Sequence, residues 1–236
     1  MSSFSTNSNC SNISFCPLSS AKRYIKKKMT CVFKGSAGTD IKNTNNTEVP
    51  PEFLIKHPLQ NAWSLWFYDN DRTKTWEENQ IELTTFDTVE DFWRLYHHIK
   101  APSELRQGHD YAVFKKGIRP MWEDDANKMG GRWLISLEKS KRNSDLDRFW
   151  LDVVLLLIGE NFEHPEEICG AVVNVRPKLD KIGKSVWTAD TSKQQAVLDI
   201  GKKLKDQLGI HGKIGFQVHR DTMVKHSSST KNLYTV

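Results

Sequence analysis

The chain has 236 residues, 38% hydrophobic and 27% charged, a balance that suits one globular domain with a tail better than two full domains. The longest apolar run is residues 153–158, far short of the ~20 residues that span a bilayer, and the Ser-rich start lacks the apolar segment of a secretory signal. The net charge of +5 resides in residues 1–50, where Lys22, Arg23, Lys26, Lys27, Lys28, Lys34 and Lys42 face only Asp40 and Glu48; the neutral remainder excludes nucleic-acid binding by a broad positive field and leaves only a focused site.

In chain order, residues 1–50 are rich in Ser, Asn, Thr and Lys and have few large apolar side chains. They read as a disordered basic tail, whose Lys26–Lys28 cluster is open to a second reading as an RNA or nuclear-import contact. Pro50-Pro51 marks the boundary, and 51–236 reads as the folded domain. Residues 62–68 (AWSLWFY) predict a strand. Phe92, Leu95, Tyr96 and Ile99, at helical spacing, predict a helix over 88–99. Residues 111–114 and 133–137 predict strands. Ser144 is the expected N-cap of a second helix, with Asp145 and Asp147 in its first turn, running to Ile158 and stopping at Gly159. Residues 171–175 predict a β-branched strand, 192–208 a third helix ended by Gly209, and 213–220 a last strand before a polar tail. Strands outnumber helices and two strand–strand links are short, so an α+β fold is expected, an antiparallel sheet with helices on one face.

Among eight tryptophans, Trp63, Trp66, Trp133 and Trp150 lie in apolar periodic segments and read as core. Trp76, in DRTKTWEENQ, and Trp122, in GIRPMWEDDANK, are isolated in polar loops, which leaves each either buried by the fold or displayed for a ligand. Two displayed indoles form a slot for a flat ring, each face worth ~1–3 kcal/mol and more for a cationic ring. A guanine methylated on its imidazole is such a ring, and Glu123 beside Trp122 offers two oxygens to its two edge N–H groups. Arg176, Lys178 and Lys181, just past a strand end, and Arg132 in GGRW suit phosphates as well as they suit a solvated turn. In the second helix, Leu146, Phe149, Trp150, Val153 and Leu157 form one apolar stripe, and Leu151, Leu155 and Ile158 a second; the helix is either sandwiched in the core or offers a groove to a partner helix. Trp93 and Val89 are off their own helix's stripe in the same way. Cys10, Cys16, Cys31 and Cys169 form no CxxC pair and the eight histidines no ligand spacing, so no metal, cofactor or disulfide is expected; reduced thiols fit the cytoplasm. No acid cluster or activated nucleophile supports catalysis.

The segments IKHPLQNAWSLWFY, KTW, FDTVEDFW, PMWEDD, GGRWLISL, SDLDRFWL, LIGE, CGAVVNVR and STKN, in this order, are similar to eukaryotic translation initiation factor 4E over residues 53–236. The resemblance implies a curved antiparallel sheet of about eight strands with three helices on its convex face, monomeric and non-enzymatic. It implies that Trp76 and Trp122 sandwich the 7-methylguanosine of the mRNA cap, that Glu123 binds its edge, and that Arg176 and Lys181 hold the phosphates. Arg132 matches a water-linked phosphate contact, and Trp187 a residue touching the methyl group. His57, Pro58, Val89, Trp93, Leu151, Leu155 and Gly159 match a dorsal site for a helical motif of the scaffold 4G and of 4E-binding proteins. Ser228 matches a regulatory phosphoserine, which Lys178 would face. A cap-binding repressor that ignores the scaffold is the competing expectation. One departure is IGKSV before Trp187, two residues longer than the family's usual spacing, where Lys184 adds charge.

Overall fold

A computed structural model of the chain describes residues 55–137, 142–175, 182–225 and 231–236. Eight strands form one sheet: β1 (Pro58–Tyr68), β2 (Gln80–Thr88), β3 (Asp110–Lys115), β4 (Gly131–Leu137), β5 (Ile168–Asn174), β6 (Ile182–Thr188), β7 (Gly215–Val218) and β8 (Tyr234–Thr235). The order is β2-β1-β3-β5-β6-β4-β7-β8, and every pairing is antiparallel. The helices are α1 (Val89–His98), α2 (Arg142–Ile158), α3 (Gln194–Gln207) and α4 (His219–Lys225). The α+β fold with a curved antiparallel sheet is as expected.

Register explains how one sheet has two unlike faces. Leu65, Val113, Ala171, Val186, Trp133 and Phe216 lie opposite one another on neighbouring strands, and none is more than 3% exposed. Because side chains alternate along a strand, this row faces one way, towards the helices. Leu65 and Val113 meet Phe92 of α1 and Trp150 and Val154 of α2, while the Trp133 indole donates to Val197 O of α3 at 3.0 Å. The adjacent row, Ser64, Phe114, Gly170, Trp187, Arg132 and Gln217, faces the opposite side, away from α1, α2 and α3.

Local chemistry sets the helix ends. Thr88 caps α1: its Oγ1 accepts from the Asp91 N–H at 3.2 Å and donates to the Asp91 carboxylate at 2.7 Å. Gly209 closes α3 at φ 62°; its N–H reaches Asp206 O at 3.3 Å and the Ile210 N–H reaches Lys205 O at 2.9 Å, a Schellman closure. α2 ends at Ile158, as expected, but starts earlier than expected. It begins at Arg142, so Ser144 is inside it rather than at its cap. Gly159 does not end it by going left-handed: its N–H still bonds Leu155 O at 3.1 Å, and the turn comes at Glu160, φ 46°. The Glu160 N–H then bonds Leu157 O at 2.9 Å and the Asn161 N–H bonds Leu156 O at 3.1 Å, while Asn61 of β1 donates to the Glu160 carboxylate.

The strand expected over 213–220 is shorter and is followed by a fourth helix. At His219 the backbone N–H turns to Gly130 O at 3.1 Å, and Thr222 Oγ1 donates to Val218 O at 3.0 Å, so the ladder gives way to α4. Among the described residues no helix is long and apolar enough to cross a membrane.

Candidate functional site

On the face turned away from α1, α2 and α3, Trp187 is the centre of an aromatic cluster. It is 4% exposed, meets Phe114 edge-on at 5.4 Å between ring centroids, and donates its indole N–H to Ser185 Oγ at 3.0 Å. Ala112 and Cys169 complete the buried part, and Trp66, Ile118 and Trp122 pack against it. Burial pushes the Cys169 thiol up to about 12, so this cysteine packs as an unreactive thiol. Trp122 is therefore seated on the cluster while remaining part-exposed, and Glu123 beside it is exposed. Asp124 is committed to the loop: its carboxylate accepts from the Arg119 N–H and the Ala126 N–H, each at 3.0 Å.

Trp76 is carried by the loop between β1 and β2 and is 46% exposed. Its ring meets Tyr68 at 6.4 Å, and Tyr68, two residues beyond Trp66 on β1, shares the face of the Trp187 cluster. A capping box encloses Trp76: Glu78 Oε2 accepts from the Thr75 N–H at 2.7 Å, and Thr75 Oγ1 accepts from the Glu78 N–H at 3.2 Å. These bonds hold the Glu78 carboxyl below its ordinary value.

Arg132 lies opposite Trp187 in the β4–β6 register. Burial lowers the pKa of its guanidinium, and its Nε has no partner among the described residues. His219 packs on Trp187, with ring centroids 4.2 Å apart. It is fully buried, and burial, then the Arg132 charge, push its pKa down to about 3. The imidazole is neutral at physiological pH, and Arg132 supplies the positive charge at this point. Arg176, Lys178, Lys181 and Ser228 lie outside the described residues, as does the Lys184 side chain. Trp122, Trp187 and Arg132 thus share one face with Tyr68, against which Trp76 lies, and these groups suit a flat cationic ring with an anionic extension.

The opposite face carries the second group. Trp93 on α1 is half-buried among Phe92, Tyr96 and His97, with an indole N–H lacking an acceptor among the described residues. Leu151 and Leu155 of α2 are half-buried and Gly159 is exposed, whereas Ile158 is buried, so the second stripe is Leu151, Leu155 and Gly159 rather than one continuing to Ile158. His57 and Pro58 are exposed at the start of β1 and Val89 opens α1. The Val89 N–H bonds His57 O at 2.9 Å, and the His57 N–H and Nδ1 lie 2.8 and 2.7 Å from the Glu90 carboxylate.

Sequence reading missed Thr75 and Glu78, although T-x-x-E before a strand is a legible signal. It also missed Asn79 and Asn127, 2% and 0% exposed, and His219; burial of a single polar residue leaves no pattern in sequence. Among the described residues, Glu163, His164 and Asp199 bring ligand atoms within 4.8 Å of one another. Asp199, however, is already bonded to the Gln195 amide at 2.9 Å and to Lys202 at 3.5 Å.

Comparison with known proteins agrees with this architecture. The family described as "Eukaryotic initiation factor 4E" matches residues 58–234. The chain is 54% identical over 204 residues to eukaryotic translation initiation factor 4E1 of Drosophila melanogaster, covering 86% of this chain and 78% of that one. Among solved structures it is similar to Ascaris suum eIF4E-3 in complex with the m2,2,7G cap, with a TM-score of 0.71 and 46% identity, covering 77% of this chain and 99% of that one. It is also similar to C. elegans eIF4E-3 in complex with the 4E-binding protein Mextli and a cap analogue, with a TM-score of 0.70 and 41% identity, covering 77% and 100%. An eight-stranded antiparallel sheet with Trp66, Trp122 and Trp187 clustered on the face turned away from α1, α2 and α3, matched at this identity across most of its length, makes the chain a member of the eukaryotic initiation factor 4E family of translation factors.

Proposed function

We propose that this chain binds the 7-methylguanosine 5′ cap of mRNA and, without catalysing a reaction, passes capped mRNA to the scaffold 4G. Trp76 and Trp122 stack on the two faces of the methylated base, and Glu123 accepts its two edge N–H groups in a charge-assisted pair. Arg132, Arg176, Lys178 and Lys181 neutralise the triphosphate, and Trp187 backs the methyl group. The α1–α2 face, through His57, Pro58, Val89, Trp93, Leu151, Leu155 and Gly159, receives an amphipathic helix of 4G or of a 4E-binding protein. Residues 51–236 are the cap-binding domain and 1–50 a basic tail, and Ser228 is a phosphorylation site in the cytoplasm, where translation takes place.

The observation that carries this reading is an indole 46% exposed on a loop, matched by a second, part-exposed indole beside an exposed carboxylate. Relatives solved in complex with a cap and with a 4E-binding protein support it. Tryptophan-fluorescence titration tests it. A methylated cap analogue is expected to quench at concentrations about tenfold or more below its unmethylated counterpart, the value of a desolvated cation–π contact. Trp76→Ala, Trp122→Ala and Glu123→Ala each abolish the effect. Equal quenching by the two analogues refutes the reading.

A further inference from the structure

We propose that Asn79 and Asn127 are positioning residues for cap binding, each stapling one tryptophan-bearing loop from within; this rests on Trp76 and Trp122 being the walls of the slot. Among residues 71–80 only Asn79 is buried. Its side-chain amide donates to Asp71 O and Thr75 O, both at 2.9 Å, and its Oδ1 accepts from the Asp71 N–H at 3.1 Å. On the other loop Asn127 donates to Arg119 O at 2.8 Å and to Met121 O at 2.9 Å. The two loops are unrelated in sequence and in place, yet the device is the same. In each, a buried carboxamide holds the carbonyl of the residue immediately before the tryptophan, Thr75 before Trp76 and Met121 before Trp122, together with a second carbonyl further upstream.

Holding that carbonyl fixes the peptide plane from which the indole departs. A carboxamide suits the task because it is an uncharged side chain with two donors, and charge in such a position would be costly. The Trp76 loop gains little order from packing beyond Tyr68, since residues 72–78 are all exposed. Its rigidity comes from hydrogen bonds, and a slot preset to one ring's width binds without the entropy of ordering its walls. Loss of a staple should free one indole and leave the core intact.

The test uses the full chain labelled with 5-fluorotryptophan, with resonances assigned by Trp76→Phe and Trp122→Phe. In Asn79→Ala the Trp76 line is expected to shift and broaden while the Trp122 line stays, and in Asn127→Ala the reverse. Affinity for 7-methyl-GTP, measured well below each unfolding midpoint, falls about tenfold or more in each, the equivalent of two forfeited hydrogen bonds. Asn79→Ser and Asn127→Ser, which keep one donor, fall between and serve if an alanine variant does not fold. Fluorine lines that stay in place, or lines that move while affinity remains within twofold of wild type, overturn the proposal. Wild-type lines at Trp76 and Trp122 that ignore 7-methyl-GTP overturn the slot itself and, with it, the positioning role, a result distinct from either of those.

Discussion

Acid should destabilise this protein through His219 in a way that can be isolated. The imidazole is fully buried on the Trp187 ring, neither ring nitrogen has a partner among the described residues, and its pKa falls from 6.5 to about 3. Between those values the unfolded chain binds a proton that the folded chain refuses. Stability therefore rises with pH through this window and is lost as pH falls below the unfolded value. For one such group the loss is ~2 kcal/mol between pH 7 and pH 5, growing towards an upper bound of ~5 kcal/mol below pH 3. His219→Phe keeps a flat ring against Trp187 and removes the titration. Urea unfolding followed by tryptophan fluorescence at pH 7, 6 and 5 should show the variant gaining ~2 kcal/mol on the wild type across that range. Carboxylates titrate alike in both proteins and cancel in the difference. A gap between the two that does not change with pH, or an NMR titration of the His219 ring with a midpoint near 6.5, refutes the reasoning.

Gly201→Ala sets two effects in opposition. An alanine within α3 gains up to ~1 kcal/mol in helix propensity, but its Cβ would lie 2.3 Å from Cζ2 of Trp133, a fully buried ring with no room to yield. Overpacking of ~1–3 kcal/mol should prevail, measured as a lower urea midpoint; a raised midpoint would show the core yielding. Thr88→Ala removes the α1 cap and should cost ~1 kcal/mol, visible as faster amide exchange in the first turn of α1. Trp93→Ala should leave 7-methyl-GTP binding intact while weakening capture of a 4G-derived helical peptide by tenfold or more, roughly 1.4 kcal/mol; unchanged peptide binding by calorimetry counts against the α1–α2 face as the docking site.

Local chemistry was enough for α1 and α3. Phe92 and its periodic partners mark the buried face of the first, and Thr88 and Gly209 mark ends whose hydrogen bonds run between near neighbours. The same holds for the inner strands, where a continuous apolar run such as residues 111–114 is buried on both faces. β2 escaped because Ile81 and Leu83, which alternate with polar neighbours over only five residues, are exposed and only Phe86 of its nine residues is buried, so β1 supplies its order through pairing. β6 reads as a basic, glycine-bearing stretch until β4 and β5 bind it on both sides. α4 depends on the turn at Gly130 O, and the left-handed Glu160 is held by Asn61, 99 residues away along the chain.

The candidate site divides along the same line. Isolation of Trp76 and Trp122 among polar neighbours was visible in sequence, but the same isolation describes an indole folded inward. Which one holds depends on what the rest of the chain brings over each ring: for Trp122 it is the Trp187 cluster on one side, and for Trp76 little beyond Tyr68. Residue identity determined which groups can stack, accept or carry charge. Tertiary structure decided which of them are exposed, which are neutralised and which converge, because burial and register are properties of surfaces meeting, and no stretch of chain contains its own partner.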